Sequence, residues 1–113
     1  TLKRYVTEMG MGDDVHGQNY TTAAKRAVSD AIRHSSLNFF RTLNKSANDM
    51  IVSVTIGVTN PNAVDLNSVA KELPYGKVTV NATQGGLDVP NEAGDDGIAI
   101  ANAAVIVSFD ERC

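Results

Sequence analysis

Tryptophan is absent, and three tyrosines and three phenylalanines are the only aromatic residues in 113 positions. The core must therefore be built mainly from Val, Ile, Leu and Ala. The single cysteine, Cys113, excludes an internal disulfide, and at the end of the sequence it reads as an exposed bystander rather than a nucleophile. No apolar run approaches the roughly 18 residues that span a bilayer, and the N-terminus lacks the apolar stretch of a signal peptide. A soluble, cytoplasmic protein with no membrane partner is expected. Positive charge is also scarce. Ten Lys and Arg stand against 13 Asp and Glu, for a net charge of -3, and the basic residues are scattered, which leaves no footprint for a phosphate backbone and no expectation of nucleic acid.

With 42% apolar and 20% charged residues, the chain has the composition of an ordered protein and the length of one domain, 1–113. Leu2 to Met9 reads as a first strand running into a glycine-punctuated loop. Ala24, Ala27, Val28, Ala31 and Ile32 then recur at the spacing of an amphipathic helix, with Thr21 or Thr22 as its cap. Because that stripe is mostly alanine, the helix should lie unusually close to what it covers. Phe39, Phe40 and Leu43 are available to extend or follow it.

Met50, Val52, Val54, Ile56 and Val58 alternate with smaller or polar residues, which predicts a strand. After Asn60-Pro61-Asn62, the residues Leu66, Val69, Ala70 and Leu73 predict a short helix stopped by Pro74 and Gly76. Val78, Val80 and Ala82 predict a third strand closed by Gly85-Gly86, which either forms a bulge or lets a ligand approach the backbone. Asp88 to Gly97 reads as a polar loop whose carboxylates Asp88, Glu92, Asp95 and Asp96 are solvated and lack calcium-loop spacing. The last segment, IAIANAAVIVSF, is apolar or small on both faces, as expected of an inner strand.

Two β-α-β crossovers of the same hand put both helices on one face of the sheet. The other face would carry Ser53, Thr55, Thr79 and Asn81, a composition suited to another subunit's sheet. A symmetric homo-oligomer, with a trimer favoured, is therefore expected.

Chemistry concentrates between the first strand and the first helix, in Gly10-Met11-Gly12-Asp13-Asp14-Val15-His16-Gly17-Gln18. In an extended chain Glu8, Asp14 and His16 project to one side, so Asp14 and His16 can chelate one ion, with Glu8 or His34 as the third ligand. The same loop also reads as an anion cradle of backbone N–H groups at Gly10, Gly12 and Gly17, helped by Arg26 or Lys25. A third reading is a plain strand-to-helix turn in which Asp14 makes turn or cap hydrogen bonds, His16 is exposed, and Arg26 pairs with Asp30. His34 suits a helix C-terminus, and Ser35 and Ser36 have no partners for a nucleophile triad.

Gly10, Gly12, Asp14, His16 and Gly17, with Ala23-Ala24, Arg26-Ala27, Gly85-Gly86-Leu87 and Asn102-Ala103-Ala104-Val105, resemble an uncharacterised family of short proteins found in bacteria and, with a long N-terminal extension, in plants. The resemblance implies no reaction. The Gly-x-Gly-x-Asp-x-His run is also similar to methylerythritol cyclodiphosphate synthase, a zinc enzyme in which the Asp and His matched by Asp14 and His16 bind the metal. That family's third ligand is a histidine early in the next helix, at the position of Arg26 here. The resemblance thus implies either an anion held by Arg26 or a metal completed from elsewhere. The synthase shares its architecture with Bacillus-type chorismate mutase and the YjgF-like deaminases, trimers with sites between subunits.

The combined expectation is an α+β fold, β-α-β-α-β-β, chorismate mutase-like, with a four-stranded mixed sheet and two helices on one face. Its function is expected to be that of a small-molecule enzyme with an intersubunit site for a small anionic metabolite. Asp14 and His16 are the catalytic candidates and the candidate ligands of a divalent metal such as zinc. Glu8, Gly10, Gly12, Gly17, Gln18, Arg26, Gly85 and Gly86 are the ligand-binding candidates. The alternatives are a non-catalytic module that binds or senses a small anion, and a purely structural oligomer.

Overall fold

The computed structural model describes residues 1–33 and 45–111. The expectations for His34, Ser35, Ser36, Phe39, Phe40, Leu43 and Cys113 lie outside the described residues. The elements follow in the order β1 (Leu2–Asp14), α1 (Tyr20–Arg33), β2 (Ile51–Val58), α2 (Leu66–Ala70), β3 (Lys77–Gln84), β4 (Leu87–Pro90) and β5 (Gly97–Asp110). They form a mixed sheet in the order β1-β5-β2-β3, with β4 paired to β5. β5 is antiparallel to both β1 and β2, while β2 and β3 are parallel.

The final strand thus lies inside the sheet, as its two-sided apolar composition requires. An inner strand has neighbours along both edges, so its backbone groups are satisfied without water and its side chains tolerate burial. One face is covered by the helices. Val52, Val54, Ile56 and Val58 of β2 and Ala101, Ala103, Val105, Val107 and Phe109 of β5 form the core with Ala23, Ala24, Ala27, Val28 and Ala31 of α1 and Val69 of α2. Asp65 caps α2 by accepting from the N–H of Ser68. The opposite face, where Ser53, Thr79 and Asn81 are exposed and Thr55 half-buried, has no covering layer among the described residues.

Three sequence expectations need correction. The sheet has five strands, not four, because Leu87–Pro90 pairs with Gly97–Ile100 as a hairpin. Its turn is closed by the Asn91 N–H donating to the Asp96 carbonyl and by the Gly94 N–H donating to Asn91, with Gly94 at φ 76°. The polar residues 91–96 are the turn, and the flanking Leu87, Val89, Ile98 and Ile100 carry the strand alternation. Secondly, β1 does not end at Met9 but continues through the glycines to Asp14. Thirdly, the cap of α1 is Asn19, whose side chain accepts from the Thr22 N–H. Thr21 instead receives the Asp65 N–H.

The glycines of β1 face α1. A Cβ at Gly10 would collide with the Ala27 carbonyl and sit 2.5 Å from the Ala31 nitrogen. One at Gly12 would collide with the Ala27 nitrogen and lie 2.6 Å from the Ala23 carbonyl. The alanine stripe and the two glycines are therefore one feature, a helix lying backbone to backbone on an edge strand.

Candidate functional site at the sheet tip

At one end of the sheet, β1 leaves Asp14, turns and enters α1, while the β4–β5 hairpin projects beside it. The turn is tight: Gly17 has φ 82° and Gln18 has φ 46°. A non-glycine residue in the left-handed region is strained by about 1 kcal/mol, so the turn needs fixing from outside. Two carboxylates supply it. Asp96 accepts from the Gly17 N–H at 2.9 Å and from the Gly97 N–H at 2.8 Å, and Asp14 accepts from the Asn19 N–H at 2.8 Å.

These bonds decide the electrostatics of the tip. The Gly17 N–H, followed by that of Gly97 and then by His16, holds the Asp96 carboxyl below its ordinary range. Asp96 faces the His16 imidazole, with Nδ1 3.5 Å from Oδ2. The imidazole is 88% exposed. Beside it a depression of about 150 Å³ is lined by Val15, Val89, Pro90 and Ile98. An imidazole, a fixed carboxylate and an apolar wall can together support general acid–base chemistry, in which a carboxylate orients the ring and leaves the other nitrogen for a reacting group.

Asp14 belongs to a different cluster. Arg26 approaches it at 3.6 Å and donates to the Asp13 carbonyl at 2.7 Å. Arg26 opens on a separate depression with Thr22, Lys25, Ser29 and Glu72, where Lys25 lies 3.8 Å from Glu72. The pairing of Arg26 with Asp30 expected for a solvated helix face is replaced by Asp30 accepting from the Met11 N–H at 3.0 Å and approaching Arg33 at 3.7 Å. Arg26 and Asp30 thereby satisfy backbone groups on the open edge of β1.

Among the described residues no three His, Cys, Asp or Glu side chains gather as a metal site requires. The Arg26 guanidinium, a cation, stands 3.6 Å from the Asp14 carboxylate. The residues present do not fit a zinc centre built on Asp14 and His16. The anion-cradle expectation is also revised: the N–H groups of Gly17 and Asn19 are taken by the chain's own carboxylates, and Gly10 and Gly12 serve helix packing.

The remaining candidates fall outside the tip dyad. Glu8 pairs with Val105 in mid-strand, about 20 Å along β1 from Asp14. Gly85 and Gly86 lie where the chain steps from the track of β3 to that of β4. Gly85 abuts Gly57, and a Cβ on Gly86 would strike the Ile100 carbonyl, so these glycines accommodate backbone.

Sequence reasoning missed Asp96 as a partner of His16. It also missed a second cluster, in which Tyr20 and Thr59 each bond the Asp88 carboxylate at 2.7 Å. Thr59 also lies 3.2 Å from the Tyr20 hydroxyl, but its one hydrogen serves a single acceptor, and the shorter bond is to Asp88. Thr59 pulls the Tyr20 phenol down, and the Asp88 hydrogen bond, burial and the Asp88 charge together outweigh it and raise it. The cluster ties the hairpin to α1 and to the end of β2.

A mixed α+β chain with an open sheet face and a histidine–aspartate pair at its tip is the class defined by these features. The model of the family described as Conserved hypothetical protein (Lin0512_fam) matches residues 4–107, and the chain belongs to that family. No curated protein matches the sequence. Among solved structures, the chain is similar to an FtsZ-like protein of unknown function from Nostoc punctiforme PCC 73102, with 39% identity, 98% of each chain covered and a TM-score of 0.87. No helix among the described residues is long and apolar enough to cross a membrane.

Proposed function

We infer that the protein is a small-molecule enzyme whose acid–base group is His16, oriented by Asp96, and whose site is completed by a neighbouring copy of the chain. The observation that carries this reading is the fixing of Asp96 by two backbone N–H groups while it faces His16 Nδ1. A carboxylate so held stays ionised and orients an imidazole, leaving Nε2 to exchange a proton with substrate. The depression formed by Val15, Val89, Pro90 and Ile98 would receive the apolar part of a small metabolite.

The expected anionic group needs a cation, because the N–H donors of the tip are already used. A cationic side chain of the neighbouring copy would meet it in an intersubunit site. Asp14 acts as a positioning residue in this scheme, holding the cap residue Asn19 and Arg26. The family match and the FtsZ-like neighbour add no reaction to this reading.

The exposure of His16 in one chain favours a second reading, a non-catalytic module that binds a small anion at the same tip. A panel of small carboxylates and phosphates, incubated with the protein and followed by proton NMR, separates the two. The enzyme reading expects one compound to be consumed by the wild type, and its turnover to fall at least about 100-fold in His16→Gln, the usual scale of acid–base catalysis. Loss in Asp96→Asn should be smaller. Binding without turnover would assign the module instead.

A further inference from the structure

We propose that the face of the sheet opposite the helices is the surface on which copies of this chain associate. The exposed large apolar residues are not spread evenly. Met9 at 74%, Met11 at 58%, Leu87 at 62% and Val89 at 44% exposure all lie on that face, since Met9 opposes Ala104, Met11 opposes Asn102, Leu87 opposes Ile100 and Val89 opposes Ile98 in register. Ile98, Ile100, Ala104 and Ile106, half-buried on β5, continue the surface between them. A contiguous apolar area of this kind marks an interaction site in a soluble protein.

Size, shape and charge point to a second copy as the occupant. Fourteen residues of β5, flanked by β1 on one side and by β4, β2 and then β3 on the other, give a face of roughly 700 Å² in projection. That is close to the roughly 800 Å² per partner of a stable interface. The domain measures 58 × 23 × 18 Å, a single sheet with a single helical layer, and a second sheet is the layer that a slab of this form accommodates. Within the register of the face, charge stands only at the ends: Arg4, Lys77 and Asp110 at one, Asp13 at the other. Copies stacked with strands running oppositely bring Asp13 against an end of net positive charge and place neutral centre on neutral centre. His16, Asp96, Val89 and Ile98 share one depression, so the dyad lies at the rim of this surface.

This inference goes beyond the dyad reading and names the surface that its intersubunit site requires. Sedimentation equilibrium across the micromolar range tests it. The wild type should sediment at a multiple of the chain mass, while Met11→Lys with Leu87→Lys should sediment as a single chain with an unchanged circular dichroism spectrum. Leu66→Lys, on α2, should keep the wild-type mass. If the double lysine variant fails to fold, Met9→Thr with Val89→Thr takes its place and should lower the association constant at least tenfold. A monomeric wild type overturns the proposal, as does a lysine variant that stays associated or a single chain that sediments with lipid vesicles instead. A monomeric wild type whose His16 and Asp96 resonances still respond to phosphate overturns this surface and leaves the dyad standing. An oligomer without that response does the reverse.

Discussion

Replacing Gly10 or Gly12 with alanine puts the packing of α1 on β1 to a direct test. The added methyl at Gly10 meets the Ala27 carbonyl and the backbone of Ala31, and at Gly12 the Ala27 nitrogen and the Ala23 carbonyl. These are helix backbone atoms, which cannot rotate away as a side chain would. To restore ordinary contact the helix must retreat by about 1 Å, and a gap of that size forfeits a quarter to a half of the dispersion energy along the seam. Ala23, Ala24, Ala27, Val28 and Ala31 are all fully buried in that seam, so each variant should lose about 3 kcal/mol, the upper end of the range for overpacking. Gly17→Ala is the internal reference. It has φ 82° but open space around it, and only the backbone penalty of about 1 kcal/mol applies. Urea unfolding gives the three values on one scale. Trimming Ala27 to glycine should not rescue Gly10→Ala, since the obstacle is main chain. A Gly10→Ala or Gly12→Ala variant within about 0.5 kcal/mol of wild type, a difference typical of inert surface changes, would refute the reasoning, and so would rescue by Ala27→Gly.

Other outcomes follow from individual bonds. Tyr20→Phe removes one of the two hydroxyls on Asp88 and should cost about 1 kcal/mol in urea unfolding, with the larger loss in Thr59→Val/Tyr20→Phe, where Asp88 keeps neither. Asp96 and Asp65 have depressed folded pKa values, caused first by the backbone N–H groups of Gly17 and Ser68 respectively. Their stabilisation is therefore complete above the ordinary aspartate value of 3.8 and is lost as pH falls through the lower folded values; acid titration of Asp96→Asn should show a shallower loss than wild type. Asp30→Ala leaves the Met11 N–H without its acceptor on the open edge of β1, and an exposed strand edge invites pairing with other chains. A rise in high-mass material on gel filtration is the expected readout.

Much of the fold could be read from residue patterns. β2 shows a clean alternation, and β5 betrays its inner position by being small or apolar on both faces. The alanine stripe of α1 indicates a close approach, yet the matching glycines of β1 suggest a loop, because glycine marks turns and tight packing with the same letter. The β4 hairpin escaped notice because four residues give too short an alternation to stand out beside Asn91, Gly94 and three acidic residues. At the tip, Asp14 ends β1 and His16 lies next to Gly17 of the turn. Their partners were not legible, since Asp96 lies 80 positions from His16 in sequence and reaches it only through the pairing of β5 with β1. Local spacing can suggest a shared ligand, but long-range register decides which carboxylate meets which base. Asp14 went to Arg26 and the helix cap, and Asp96 went to the imidazole.

The most direct measurement is a two-dimensional NMR titration of the protein with small carboxylates and phosphates, inorganic phosphate included, repeated on His16→Gln. The account predicts that at least one compound shifts the resonances of His16, Gly17, Asp96 and Gly97 together, saturably, and that the response disappears in the variant. Shifts confined to Glu8, to Gly85 and Gly86 or to the far end of the sheet, or a response at the tip that survives His16→Gln unchanged, would contradict it.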